Sequence, residues 1–127
     1  WYTHPEIKAL HDFEPGLSAM NRDVDAFMAS LGYEHDRENH VYNAVAPNDK
    51  KVALFAHYGA GMCVLSSLLD IPYNLICTHF NLCTSGMTVI KIEDKNGVAI
   101  PEVLTWSNDS HIYAEGLPTR YNRAWAF

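Results

Sequence analysis

One long stretch of the chain is almost free of charge, and it limits what the chain can fold into more than any other feature. Between residues 52 and 90, Asp70 is the only Asp, Glu, Lys or Arg. The stretch does not read as a membrane span, because Pro72, Asn74 and His79 interrupt it before about 20 apolar residues accumulate. It is typical of the buried half of an α/β domain, in which strands covered on both faces form continuous apolar runs.

The composition supports a single domain and argues against several classes of partner. The 127 residues are 48% hydrophobic and 19% charged, which suits one compact domain. A net charge of −6 without any basic block argues against nucleic-acid binding. The three cysteines form no CxxC pair, and the first residues lack the pattern of a secretory leader. We therefore expect a cytoplasmic domain with no nucleic-acid or membrane partner.

The segment before the uncharged stretch predicts one amphipathic helix and a polar connection. From residue 17 to residue 31, apolar side chains recur at three- and four-residue steps. Ser18 is the candidate N-cap of this helix, and Gly32 follows it as the C′ residue. Residues 33–50 are polar and predict a surface connection with a short extended piece at residues 41–43.

The uncharged stretch itself opens with a predicted strand, turn and helix. Residues 51–56 predict a strand buried on both faces, residues 57–61 a tight glycine-rich turn, and residues 62–69 a helix that ends before Pro72. Residues 73–86 are apolar without a strong period, and we expect a short helix followed by a loop.

The last third of the chain predicts two antiparallel strands. Residues 87–93 and 103–106 are rich in β-branched residues, and residues 94–97 supply a hairpin-type turn between them. We expect residues 1–16 to be an irregular or short helical lead-in, and the chain after Ser107 to form a loop with one helical turn. Four aromatic residues near the end are expected to cover a sheet edge: Tyr113, Tyr121, Trp125 and Phe127.

The predicted strand-to-helix turn carries the strongest candidate for chemistry. His57 ends the predicted strand, so it lies at the carboxyl edge of a sheet, where α/β proteins usually bind ligands. The amides of Tyr58, Gly59 and Ala60 would begin the following helix without intrahelical partners, and such amides favour an anion. The pattern therefore predicts a phosphoryl site, against the alternative that His57 is a structural histidine bonded to a carbonyl.

Three segments resemble blocks of the histidine phosphatase superfamily, the phosphoglycerate-mutase-like proteins. Val52-Ala-Leu-Phe-Ala-His57-Tyr-Gly resembles the second catalytic-histidine block of that family. Thr84-Ser-Gly-Met-Thr-Val-Ile90 resembles the strand after its substrate loop, and Trp106-Ser-Asn-Asp-Ser-His-Ile112 resembles its C-terminal Asn-Asp-x-x-His-Leu block. Their order and spacing match across residues 17–115.

The resemblance implies a three-layer α/β/α fold and a phosphoryl-transfer site that needs no cofactor. It implies that His57 is the charge-stabilising partner of a phosphohistidine nucleophile, and that Tyr58 and Gly59 bind phosphate. Ser85 and His111 would lie on the rim of the pocket. The implied reaction is phosphomonoester hydrolysis on a phosphorylated small molecule.

The nucleophile block of the family is missing from this sequence. Members carry an Arg-His-Gly motif on an N-terminal strand, whereas no histidine here is followed by glycine. Glu14 is the only substitute for the general-acid carboxylate, and a solvated loop carboxylate is the simpler interpretation. We interpret residues 1–127 as the C-terminal part of one histidine phosphatase domain. This chain is expected to be inactive alone and to need the N-terminal half or a homo-oligomer partner.

Three alternatives remain open from the sequence. The full domain could be a phosphoglycerate-type mutase, or a non-catalytic binding module that keeps the fold without its nucleophile. A metal-binding domain would use the histidines, with His79 between Cys77 and Cys83 as its best cluster. That spacing lacks a standard second half, so we favour a thiol-bearing apolar core and predict no metal.

Overall fold

The computed structural model describes residues 3–10 and 12–121. In chain order the helices are α1 Pro5–Leu10, α2 Glu14–Ser30, α3 Tyr58–Leu68, α4 Tyr73–His79 and α5 Ser110–Ala114. The strands are β1 Tyr33–Asp36, β2 Val41–Ala44, β3 Met87–Lys91, β4 Asp94–Lys95, β5 Val98–Ala99 and β6 Glu102–Asn108. None of the helices within these residues combines the length and hydropathy that a bilayer crossing requires.

The amphipathic helix predicted from residue 17 is present as α2 and buries Val24 and Met28. It begins earlier than expected because Pro15 fits a first helical turn, where no amide hydrogen bond is needed. Ser18 therefore lies inside the helix, and its prediction as the N-cap is wrong. Gly32 follows the helix with φ +94°, as the C′ prediction requires. A Cβ at Gly32 would lie 2.2 Å from the carbonyl oxygen of Ala46, so only glycine fits there.

A four-stranded antiparallel sheet in the order β1-β2-β5-β4 packs against α2. The hairpin β1–β2 pairs Tyr33 with Ala44 and Asp36 with Val41. The predicted extended piece at residues 41–43 is confirmed as part of β2. The surface connection predicted for residues 33–50 was only partly right, because the sequence analysis missed β1.

The predicted antiparallel pair near the end of the chain is confirmed as β3 and β6, which form a second, two-stranded sheet. The predicted turn at residues 94–97 is also present, with Asn96 and Gly97 both at positive φ. It directly joins β4 to β5, and these two strands belong to the first sheet. The chain thus leaves the second sheet after β3, extends the first sheet, and returns as β6.

The strand predicted for residues 51–56 is wrong. These residues belong to no helix or strand and are exposed, with Phe55 at 94% of its maximal accessibility. A strand buried on both faces requires neighbouring strands, and none of the six strands in the described residues pairs with this segment. The turn predicted at residues 57–61 is instead the first turn of α3, so the helix begins four residues before the predicted start.

The core consists of two adjoining apolar clusters. One centres on Val24, Met28 and Tyr42, between α2 and the first sheet. The other centres on Met62, Leu65 and Ile76, between α3 and α4, and the short helix predicted after residue 73 is α4. Ile90 of β3 contacts both clusters. The domain is therefore of mixed α and β class, and strand pairing within the described residues is antiparallel throughout.

Both ends of the described chain are peripheral. The predicted helical lead-in contains α1, which buries no side chain, and the helical turn predicted after Ser107 is α5. Tyr113 and Tyr121 are exposed, so neither side chain is buried against a sheet edge as predicted. Trp125 and Phe127, the other members of that predicted cover, lie outside the described residues.

Candidate functional site

His57 occupies the N-cap position of α3, with φ −69° and ψ 158°, and its side chain is exposed. Its carbonyl accepts the first intrahelical hydrogen bond, from the amide of Gly61 at 2.8 Å. The amides of Tyr58, Gly59 and Ala60 precede that bond and have no hydrogen-bond partner in the described chain. The imidazole and three donor amides therefore share one solvent-facing helix end.

The electrostatics of this helix end favour an anion. Unpaired amides and the aligned peptide dipoles give a helix N-terminus a partial positive charge. No acidic residue lies in the first turn of α3 to neutralise it. A Cβ built on Gly59 meets nothing within 4 Å, so the side of this turn at Gly59 is open.

The Tyr58 side chain lies in the apolar interior. Its ring packs half-buried against the Met62–Ile76 cluster, which directs the side chain away from solvent. Its hydroxyl is buried and has no hydrogen-bond partner among the residues described. Burying a hydroxyl without a partner costs about 1–3 kcal/mol. The predicted role of Tyr58 belongs to its backbone amide, which remains at the start of α3.

Ser85 and His111, predicted on the pocket rim, are both exposed. Ser85 has φ +62° and sits beside Gly86, which lines the same cavity as Ala56 and Gly61 from the start of α3. Ser85 itself does not line the cavity. His111 lies in α5, and no side-chain hydrogen bond links it to α3 within the described residues. His57, Tyr58 and Gly59 are consecutive at the start of α3, and no backbone hydrogen bond among the described residues joins Ser85 or His111 to them.

The Asn-Asp block before His111 is structural. Asn108 accepts hydrogen bonds from the amide and the hydroxyl of Ser110 through its Oδ1, at 3.2 and 2.7 Å. Asp109 accepts a hydrogen bond from the Thr119 hydroxyl at 2.9 Å. These bonds hold the start of α5 after β6, a position that needs no ligand.

Glu14 is poorly placed to act as a general acid for His57. It lies in a groove with Arg37, Ser66 and Asp70, beside the C-terminal end of α3. His57 is at the opposite end of this 11-residue helix, which is about 16 Å long. The interpretation of Glu14 as a solvated carboxylate therefore fits its position better, although it begins a helix and not a loop.

The cysteines belong to the apolar interior and its edge. Burial raises the pKa of the Cys63 thiol, and the neighbouring Tyr73 hydroxyl partly opposes this rise. The hydrogen bond with Cys77, followed by burial, raises the pKa of Tyr73. The Cys83 thiol donates to the carbonyl of Thr84 at 3.3 Å. Within the described part of the chain, no three His, Cys, Asp or Glu side chains converge to hold a metal ion.

A second polar cluster lies at the other end of α3, and the sequence analysis missed it. We call it the carboxylate clasp; its members are Asp25, His35, Arg37 and Asp70. Arg37 donates to both oxygens of Asp25 at 2.7 and 2.9 Å and to Asp70 Oδ1 at 2.8 Å. The clasp ties α2, the β1–β2 hairpin and the end of α3 together. One residue of the sequence could have indicated this cluster. Asp70 is a lone carboxylate in an otherwise apolar stretch, and a carboxylate in such a setting needs a charged or hydrogen-bonding partner.

His35 is the buried centre of the clasp. Only 1% of its side chain is exposed, and its two ring nitrogens lie 2.9 Å from oxygens of Asp25 and Asp70. Because carboxylates only accept, each carboxylate can take a hydrogen bond from the ring nitrogen that faces it. His35 also stacks on Tyr42, at 4.1 Å between ring centroids. The ring is therefore fixed by two acceptors and one aromatic neighbour.

Two residues at the clasp have backbone in the left-handed region. Asp70 has φ +51° and His40 has φ +56°, and His40 Nδ1 lies 3.1 Å from Asp70 Oδ2. Non-glycine residues adopt such angles at a cost, although Asp and His are among those that do so more readily. Ser67 accepts a further hydrogen bond from Arg37 at 2.8 Å. Each member of the clasp therefore has several partners, and its position is fixed by the fold.

Comparisons with known proteins found no family model, curated protein or solved structure that matches this chain. The arguments about its function therefore depend on the residues and geometry described above.

Proposed function

We propose that the N-terminus of α3 binds a phosphoryl group and that the chain carries the His57 part of a histidine-phosphatase-type phosphomonoester hydrolase. The observation that carries this proposal is the exposed His57 at the N-cap, next to three amides without partners. Mutase activity and a non-catalytic phosphate-binding module are the alternatives within the same family resemblance.

His57 and the amides would act by stabilising charge. Phosphoryl transfer spreads negative charge over three equatorial oxygens, and donors already in place stabilise that charge without reorganising. In this proposal His57 is protonated and donates to one such oxygen, while the Tyr58 amide donates to another. In this proposal the negative charge of the phosphoryl group attracts both the imidazolium and the helix amides.

The nucleophile of this reaction would lie outside the chain, as the missing Arg-His-Gly block implies. We propose that residues 1–127 form the C-terminal part of a cytoplasmic three-layer α/β/α domain, completed by an N-terminal half or by another copy. One feature supports an incomplete domain: the apolar residues 52–55 are exposed. Further polypeptide would cover them.

Phosphate binding by the chain itself tests the proposal directly. Inorganic phosphate, titrated into the ¹⁵N-labelled protein, should shift the amide signals of Tyr58 and Gly59 first. His57→Gln should weaken this binding about tenfold, because it removes a charge-assisted hydrogen bond. His79→Gln is the matched control, since His79 is an exposed histidine at the end of α4. Equal affinities for the two variants would contradict the assignment of His57.

Turnover separates the enzymatic proposal from the binding module. With the N-terminal half supplied, hydrolysis of an aryl phosphate should appear and should fall in the His57→Gln variant. Phosphate binding without hydrolysis by that completed domain would favour the non-catalytic alternative instead.

A further inference from the structure

A cavity of about 350 Å³ lies over α2 and α3, between the segment of residues 51–56 and strand β3. Met28 of α2 and Leu65 of α3 form part of its floor. Val52 and Leu54 line one wall, and Ile90 of β3 lies in the facing wall. The cavity opens to solvent, and its apolar lining combines exposed side chains, such as Phe27 and Leu54, with nearly buried ones, such as Met28 and Leu65.

The two walls present alternate residues to this cavity. Residues 52, 54 and 56 line it from the first wall, and residues 88, 90 and 92 line it from the second. A spacing of two is the pattern of extended chain, in which every second side chain points to the same face. Residues 51–56 and strand β3 are therefore two extended segments that lie over the same helices, α2 and α3.

The first wall has the backbone of a strand that lacks its neighbour. No backbone hydrogen bond involves the amides or carbonyls of residues 51–56 within residues 3–10 and 12–121. These residues are nevertheless apolar from Val52 to Ala56, and their side chains are exposed. A segment with unpaired backbone amides and carbonyls and exposed apolar side chains can pair with an added β-strand.

We propose that this cavity takes one extended, apolar strand of a partner polypeptide, which lies beside residues 51–56 on the α2–α3 floor. The partner strand would pair its backbone with residues 51–56 and direct alternate apolar side chains onto the exposed apolar lining of the cavity, which includes Phe27 and Leu54. Lys50 is the single charged residue among the described lining residues, so an acidic residue at the end of the strand would fit the cavity better than a basic one. Six residues of extended chain span about 20 Å, which sets the length of the strand.

A second copy of this chain is a poorer occupant. Its own exposed apolar segment, residues 51–56, already forms a wall of its own cavity. If residues 51–56 of one copy filled the cavity of a second copy, the first copy would lose the wall of its own cavity. The proposal concerns strand pairing and does not depend on phosphate binding at His57, so each can fail without the other.

The test is hydrogen exchange in the presence of a synthetic peptide with alternating valine and threonine and a terminal glutamate. The peptide should slow exchange at the amides of residues 52–56 about tenfold. A peptide of the same sequence, methylated at alternate backbone nitrogens, keeps the side chains but cannot pair as a strand. It should give no protection, and equal protection by both peptides would show an apolar ligand cavity and overturn the proposal.

Two neighbouring substitutions locate the binding. Leu54→Asp places a charge inside the cavity and should abolish protection by the peptide, whereas Phe55→Asp, at a residue that does not line the cavity, should retain it. Both side chains are exposed, and circular dichroism spectra should confirm that both variants fold. Protection that is equal in the two variants would overturn the proposal. Protection that rises with protein concentration without peptide would overturn it in favour of a second copy.

Discussion

The carboxylate clasp and the segment of residues 51–56 reverse the usual distribution of polar and apolar groups. In the clasp, charged side chains are buried or half-buried, and each has several partners; in the segment, Val52, Leu54 and Phe55 are exposed and the backbone has none. Charged groups are seldom buried unless paired, and large exposed apolar patches usually mark interaction surfaces. The comparison indicates that the polar groups around the C-terminal end of α3 have their partners within the described chain, whereas the apolar side chains and backbone leading into α3 do not.

The largest effect expected from this comparison is the loss of one clasp carboxylate. Asp70→Asn keeps the shape and tolerates the positive φ, but it leaves Arg37 and His35 facing one carboxylate instead of two. Breaking a buried ion pair in this way costs about 3–5 kcal/mol of unfolding free energy, and the partial exposure of Arg37 favours the lower end. Urea unfolding measures the cost.

Asp23→Asn is the control for that measurement. Asp23 lies on the exposed side of α2 and belongs to no ion pair in the described residues, so its substitution should change the unfolding free energy by less than about 0.5 kcal/mol. Similar losses for Asp70→Asn and Asp23→Asn would show that the clasp does not hold the fold together.

A much smaller effect is expected in the segment. Phe55→Ala should change the unfolding free energy of the isolated chain by less than about 0.5 kcal/mol, because 94% of the side chain is already exposed. Met28→Ala, at a position with 2% exposure, should cost about 2–5 kcal/mol in the same urea experiment. A large loss for Phe55→Ala would mean that the segment is covered in solution, and the comparison would fail.

The smallest effect expected is on the pH dependence of stability in acid, and it comes from Asp36 at the end of β1, next to the clasp. Hydrogen bonds from the side chain and amide of Asn39 hold the pKa of Asp36 below its usual value of 3.8. A carboxyl with a depressed pKa stabilises the folded state above its unfolded pKa, and this contribution is lost as the pH falls through the folded value. Asp36→Asn should therefore make stability depend less on pH below about pH 4. Carboxyl chemical shifts of Asp36, measured across this range, would contradict the prediction if they showed an unshifted midpoint.

The sequence predicted elements well where local signals and tertiary packing agree. The period of α2, the glycine that ends it and the Asn96-Gly97 turn are local features, and each is found as expected. The two strands β3 and β6 were also predicted, because their β-branched residues match their partly buried setting. These features depend on residues close together in the chain.

The predictions failed where an element depends on partners distant in sequence. Residues 51–56 have the composition of a central strand, yet composition cannot supply the neighbours that a central strand needs. The clasp joins Asp25 to Asp70 through two residues of one hairpin, and no local pattern announces such a contact. Of the candidate site, the sequence predicted the helix end at His57, while the distance of Glu14 and the separate role of Asn108 required the fold.

The path of the chain between β3 and β6 ties the two sheets together twice. The chain crosses from the second sheet to the first between Lys91 and Asp94, and it returns between Ala99 and Glu102. Because both ends of the β4–β5 hairpin continue into strands of the second sheet, two covalent connections join the sheets. Cleavage of one peptide bond in either connection would leave the other connection intact.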